Sequence, residues 1–208
     1  MTEHVPHAIL PARAPLGDDV LAQIFTQART HSQFDGREVP ETLLKRAVEL
    51  AEIGPTAMNA IPARVVFVRS QAAKEKLKPA LMGGNVDKTM AAPVTAIIAH
   101  DVAFYEDLAK NAPFAPGARE WFAHDSAKAA GFASMNGTLF GGYFIVALRS
   151  LGLDAGPMGG FDQGVTDEAF FAGTTWKSNF LINIGYGTGK GIFPRLPRYA
   201  FDEMAKIV

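Results

Sequence analysis

The sequence of 208 residues contains no cysteine. That removes disulfides, thiolate metal sites and a cysteine nucleophile from consideration. Its five histidines do not form the helical H-x-x-x-H pair, so no metal site is expected. Neither sign of charge is in excess: 20 Lys and Arg face 21 Asp and Glu, for a net charge of −1. A chain without a strong basic field is not built for nucleic acid or an anionic membrane surface, and any cationic site must be local. A long uninterrupted hydrophobic run is also missing. The most apolar region, residues 127–153, carries Lys128, Asn136 and Arg149 and is broken by five glycines. It reads as a buried core helix and not as a membrane span. Three familiar signatures are absent too: G-x-G-x-x-G after a strand, the G-x-x-x-x-G-K-[ST] phosphate loop, and the G-x-S-x-G elbow of esterases. Gly187-Thr188-Gly189-Lys190-Gly191 lacks the phosphate-loop spacing and reads as a turn. Met1 to His7 shows no basic segment followed by an apolar run, so a signal peptide is not expected and the cytoplasm is the expected compartment.

What is present suits one domain with a sizeable core. Residues 1–16 read as a loose Pro- and Ala-rich arm, and 17–208 as a single domain without repeat or linker. Helices are expected from Asp18 to about Arg29, after Pro40, after Ser70 and through the long apolar region, with a short one from Thr166. Strands are expected at 64–69, 93–100 and 178–186, and an extended tail at 192–198, where prolines forbid helix. Residues 104–122 read as an irregular aromatic excursion over a pocket. Strands and helices are interspersed without strict alternation, which points to an α+β fold.

Two loops carry the chemistry. Leu153-Asp154-Ala155-Gly156-Pro157-Met158-Gly159-Gly160-Phe161-Asp162 is too rich in glycine for ordinary packing. Adjacent glycines let backbone N–H groups approach a flat ligand, because no Cβ intervenes. Residues 54–64, from Gly54 through Pro55, Thr56, Ala57 and Asn59 to Arg64, have the same character. With scattered Arg, Lys and Asn they suggest a cradle for a planar anionic cofactor. Arg29 either complements a helix dipole or grips phosphate through its planar fork. Asn85 and Lys88, three apart after two glycines, share a helical face. There an amide can read a ring's carbonyl and imide edge while a cation stabilises a reduced ring; alternatively Lys88 is a solvated surface residue. Arg195, held in a Pro194-Arg195-Leu196-Pro197 tail, either fixes a phosphate or anchors the tail by packing its stem.

In this order the segments resemble the nitroreductase superfamily of FMN-dependent oxidoreductases, from about Asp18 to the C-terminus. Pro55 to Arg64 is similar to that family's P-S-S-x-N-x-Q-P-W segment, and Asn85-Val86-Asp87-Lys88 to its N-x-x-K. Gly156 to Phe161 is similar to its loop beside the flavin, and Asn183-Ile184-Gly185-Tyr186-Gly187 to its last core strand. Within the superfamily the malonic semialdehyde (3-hydroxypropionate dehydrogenase) branch of Rut-type pyrimidine degradation is the closer resemblance. It rests on Ala28 to His31, Gly54 to Ala57, Pro62-Ala63-Arg64, Lys88 with 92–97, 152–162, Lys177-Ser178-Asn179 and 195–198.

The resemblance implies a central, mostly antiparallel sheet flanked by helices, in an intertwined homodimer with FMN at the interface and NADH or NADPH as cosubstrate. It implies that Arg29, His31 and Arg195 serve the phosphate and ribityl side, with Thr30 and Gln33 also in the cofactor site. Asn85 and Lys88 would face the pyrimidine edge, and Pro157, Met158, Gly159 and Gly160 would line the ring with Gly159 near N5. Pro55, Thr56, Ala57 and Asn59 would belong to the cofactor site, Thr56, Ala57 and Asn59 coming from the partner subunit. The chain departs from the family pattern at Gln33, near where many relatives carry a basic residue, at Gly159, where some carry Glu, and at Phe193, where some carry Lys. Hydride would travel through FMN N5 with Lys88 as electrostatic support, and no side chain is singled out as proton donor. The expected acceptor is malonic semialdehyde, with Arg64 and Arg119 as candidates for its carboxylate. The competing acceptors are nitro compounds and quinones, and a flavin-binding protein without turnover is the reading from another class.

Overall fold

The computed structural model describes residues 14–208; the first thirteen residues of the expected arm lie outside the described residues. In chain order the regular elements are α1 Asp18–Leu21, α2 Glu41–Glu52, β1 Ala63–Val68, α3 Gln71–Leu77, α4 Gly83–Ala91 and β2 Val94–Asp101. They continue with α5 Leu108–Asn111, α6 Glu120–Ala123, α7 Ser126–Ser150, β3 Asp154–Met158, α8 Gln163–Phe171, β4 Trp176–Gly185 and α9 Phe201–Met204. The strands form one sheet in the order β1-β2-β4-β3, and every pairing of strands is antiparallel. The α+β fold class is as the sequence implied.

β2 lies centrally and its first seven residues are buried, because helices cover both faces of the sheet. On one face Val94, Ala96, Ile98, Ile182 and Ile184 pack with Leu44, Ala47 and Ala51 of α2 and with Phe140, Phe144 and Leu148 of α7. The opposite face places Ile97, Ala99 and Leu181 against Leu77 of α3, Phe171 of α8 and Met158. Each fully buried Ile, Leu or Phe here contributes about 1.5–3 kcal/mol relative to exposure. In α2 the spacing of Leu44, Ala47 and Ala51 puts one stripe on the core. Ser70 caps α3 by accepting from the Ala73 N–H at 3.2 Å, as expected.

α7 meets the length and composition of a membrane span, yet it is the core helix against which the sheet lies, and 44% of its most apolar window is buried. Asp125 caps it, accepting from the Lys128 N–H at 2.9 Å. Its outward stripe exposes Met135, Leu139 and Tyr143.

The structure differs from the sequence reading in three places. The first helix stops at Leu21 and continues as a single π turn over Ala22–Thr26, short of Arg29. Residues 104–122, expected to be partly irregular, contain short helices, and Phe104 and Phe122 pack with Phe132 of α7 in a small core of their own. Residues 154–158, read as loop, form edge strand β3 on β4, so the sheet has four strands and not three.

Candidate functional site

β3 needs a second neighbour, and residues 30–34 supply it. Thr30 makes a parallel bridge to Ala155, and the His31 N–H donates to the Ala155 carbonyl at 3.1 Å. Further along, Phe34 bridges to Gly187 and the Asp35 N–H donates to Tyr186 at 2.9 Å. A Cβ at Gly156 would collide with the His31 carbonyl, so the close approach of this segment depends on that glycine. His31 is oriented by Asp154, whose Oδ1 lies 3.2 Å from its Nε2 while Oδ2 accepts from the Gly187 N–H at 2.7 Å. Asp154 was not among the residues expected from sequence.

At the start of this segment a cavity of about 360 Å³ is lined by Arg29, Arg149, Arg195 and Arg198 with Phe25, Ala28, Thr30 and residues 193, 194 and 196. Arg29 donates to the Phe193 carbonyl, and Arg195 donates to the carbonyls of Thr26 at 2.7 Å and Ala28 at 3.2 Å. Arg149 donates to Ile24 at 3.0 Å, and its Nε is buried without a partner. Burial pushes the Arg149 guanidinium below its ordinary range, Asp154 opposing and Arg195 adding to that shift. Among the described residues none of the four arginines has a carboxylate within ion-pair distance. Four guanidiniums around one cavity, hydrogen-bonded only to carbonyls, make a site for an anion with several oxygens. Sequence reasoning identified Arg29 and Arg195 but missed Arg149 and Arg198. The available signal was Arg149 itself, a lone arginine at the end of an otherwise almost uncharged helix.

At the other end of the segment a cavity of about 470 Å³ is lined by Ser32, Gln33, Phe34, Gly84, Asp87, Lys88 and Ala91. Lys88 is half-buried there and, among the described residues, makes neither an ion pair nor a side-chain hydrogen bond. Asn85, one turn earlier on α4, donates from Nδ2 to the Gly160 carbonyl at 2.6 Å, and a Cβ at Gly160 would lie 2.5 Å from the same nitrogen. The Met82 N–H also donates to Gly160, at 3.1 Å, and Leu81 bridges to Phe161. The start of α4 is thereby clamped to the Gly-rich segment. Pro157 and Met158 close β3, and Gly159 follows, exposed. A Cβ built at Gly159 meets no protein atom within 4 Å. The open space above bare backbone fits a flat ring, and the unpaired Lys88 and the arginine cavity fit an anionic ring and its phosphate.

The 54–64 loop lies elsewhere. The Ala57 N–H donates to Asn136 Oδ1 of α7 at 2.7 Å, and Asn59 donates to the Asn111 carbonyl at 2.7 Å. Pro55 is exposed at the start of the loop, and the Thr56 hydroxyl accepts from the Ile61 N–H at 3.2 Å. Met58, Asn59 and Ile61 all have positive φ, at 59°, 53° and 43°. Such strain persists only where surroundings impose it, and it concentrates at functional sites. None of these hydrogen bonds runs to α4 or to residues 157–160.

Arg64 and Arg119, the candidates for a substrate carboxylate, are both engaged. Arg64 pairs with Asp101 at 3.0 Å and also donates to the Ile61 and Ala63 carbonyls. Arg119 is held by Glu106 at 2.7 Å and Glu120 at 2.9 Å.

Comparison with known proteins identifies the family. The sequence pattern of the nitroreductase family matches residues 25–186. A Burkholderia lata protein provisionally named NADH dehydrogenase/NAD(P)H nitroreductase is 53% identical over 192 residues, covering 92% of this chain and 98% of that one. A protein of the same provisional name from Stenotrophomonas maltophilia is 54% identical over 187 residues, covering 90% and 95%. Among solved structures, a nitroreductase-type protein from Exiguobacterium sibiricum, crystallised with FMN, superposes with a TM-score of 0.77 at 17% identity, covering 95% of this chain and 99% of that one. The chain belongs to the nitroreductase family.

Proposed function

We propose that the protein is an FMN-dependent NAD(P)H oxidoreductase that reduces nitro compounds and quinones with broad specificity. The observation that carries this reading is the pair of cavities joined by consecutive residues 29–34. One is ringed by arginines without carboxylates, and the other holds an unpaired Lys88 near the open backbone of Gly159. The FMN-bound structural neighbour and the names of the relatives support the same cofactor and cosubstrate.

FMN held there would supply two-electron hydride chemistry between NADH or NADPH and the acceptor. Arg29 and Arg195, with Arg149 and Arg198 beside them, would hold its phosphate through charge-assisted hydrogen bonds. Thr30, His31 and Gln33 would line the path between phosphate and ring, with Asp154 fixing the His31 imidazole. Lys88 would face the pyrimidine edge and stabilise negative charge on the reduced ring, a preorganised cation in a partly shielded site. Asn85 would use its remaining polar valences on the same edge. Pro157, Met158, Gly159 and Gly160 would present backbone to the ring.

Pro55, Thr56, Ala57 and Asn59 would complete the cofactor site of a second copy in a homodimer. The apolar α7 stripe of Met135, Leu139 and Tyr143 is a surface such a copy would cover.

The sequence resemblance to malonic semialdehyde reductases yields to the broader acceptor range. The relatives described above carry nitroreductase names, and the two arginines suggested for a substrate carboxylate are already paired within the chain.

The test is anaerobic. NADH or NADPH added to the FMN-loaded protein should bleach the flavin absorbance, and a nitroaromatic or a quinone should restore it faster than malonic semialdehyde does. Fastest reoxidation by malonic semialdehyde would overturn the acceptor assignment. Failure to bleach with either nicotinamide would leave a flavin-binding protein without turnover.

A further inference from the structure

A chain of buried polar side chains runs beneath the proposed ring site. Thr95 of β2 donates to Asn183 Oδ1 of β4 at 2.7 Å, and Asn183 Nδ2 donates to the Thr89 hydroxyl of α4 at 3.3 Å. The Thr89 hydroxyl in turn lies 3.6 Å from the Met158 sulfur, a weak acceptor. Thr89, Thr95 and Asn183 are fully buried. Apolar residues of similar shape would fill the same space without desolvating polar groups, so the sheet does not need these groups for burial. Their positions are informative. Thr89 follows Lys88, Met158 precedes Gly159, and Asn183 pairs in register with Gly156, the residue that admits His31. Asn183 thus reaches α4 through its amide and lies beside β3 in the sheet, while Thr89 reaches Met158 at the end of β3.

We infer that Asn183, through Thr89, is a positioning residue that fixes α4, with Asn85 and Lys88, relative to the 157–160 backbone, and so sets the potential and affinity of the bound flavin. The hydrogen bonds are directional where apolar packing is not, so they hold one register of helix on strand. This inference rests on the FMN reading above.

The test compares Thr89→Val, which keeps the shape and removes the hydroxyl, with Thr89→Ser, which keeps the hydroxyl. FMN affinity is measured by fluorescence quenching of the flavin, and the midpoint potential by spectroelectrochemistry, below the melting temperature of each variant. Thr89→Val should bind FMN about tenfold more weakly, the equivalent of one net hydrogen bond, and should show a displaced potential. Thr89→Ser should retain both wild-type values. Asn183→Leu should resemble Thr89→Val, and the double variant should be no worse than either, since the two residues share one interaction. If Asn183→Leu fails to fold, the Thr89 pair still decides. Equal affinity and equal potential in Thr89→Val and Thr89→Ser would overturn the inference even if both melt earlier than the wild type. A wild-type protein that binds no FMN would instead overturn the cofactor reading itself.

Discussion

Two sets of arginines divide the molecule. Arg64 and Arg119 each face carboxylates, Asp101 for the first and Glu106 with Glu120 for the second, and the Glu106 and Glu120 hydrogen bonds push the Arg119 guanidinium further above its ordinary value. Among the described residues Arg29, Arg149, Arg195 and Arg198 hydrogen-bond only to carbonyls and form no ion pair, and burial opposes the charge of Arg149 with Asp154 only partly countering it. The first set is electrically complete within the chain. The second stays short of negative charge until something brings it. Crowding like charges around one cavity costs free energy, most of all at the partly buried Arg149, and an anionic ligand would offset that cost.

The largest break in this contrast is Arg29→Ala combined with Arg195→Ala. Each removes a charge-assisted contact to phosphate, and the double variant should bind FMN at least about 100-fold more weakly. Riboflavin, which lacks the phosphate, should bind as to the wild type. Equal losses for both flavins, read by fluorescence titration, would show that the arginines act on something other than phosphate.

Next come two single changes. Lys88→Ala should slow flavin reduction by NADH or NADPH about tenfold in stopped-flow traces, since a preorganised charge near the reduced ring is removed. An unchanged rate with unchanged FMN content would take Lys88 out of the site. Arg149→Met should cost about tenfold in FMN affinity and nothing in riboflavin affinity, while the melting temperature of the apoprotein holds or rises as a desolvated charge disappears. A lower apoprotein melting temperature would place Arg149 among the structural arginines.

The paired set should respond in the opposite sense. Arg64→Met leaves Asp101 largely buried without its cation and should destabilise the fold by about 1–3 kcal/mol in denaturant unfolding, with FMN affinity unchanged. Arg119→Ala, on the exposed surface, should leave both FMN affinity and the melting temperature where they were. A weakened flavin site in either variant would erase the distinction between the two sets.

The same contrast shows what sequence can and cannot disclose. β1, β2 and β4 were legible because β-branched and aromatic runs bounded by turn residues are a local signal. The antiparallel sheet and the order of the site segments followed from the family resemblance. β3 was not legible: Gly156 and Pro157 speak against a strand, and the strand exists because β4 pairs with it on one side and Thr30–His31 on the other. The proline is tolerated there because an edge strand does not need every N–H. The packing of the 104–122 aromatics was not legible because they have no helical period and their partner Phe132 lies on α7. Charge identity was visible for every arginine, but charge pairing was not. Asp101 lies 37 residues from Arg64 and Asp154 lies 123 from His31, so only the fold reveals which cations are spent. The Asn183–Thr89 contact, 94 residues apart, was hidden for the same reason.

The most direct measurement is a titration of the apoprotein with FMN and, in parallel, with riboflavin, monitored by quenching of flavin fluorescence. Saturable quenching by FMN at concentrations at least about 100-fold below those needed for riboflavin is the result expected of a cavity whose arginines await a phosphate. Equal affinity for the two flavins, or no binding of either, would contradict it.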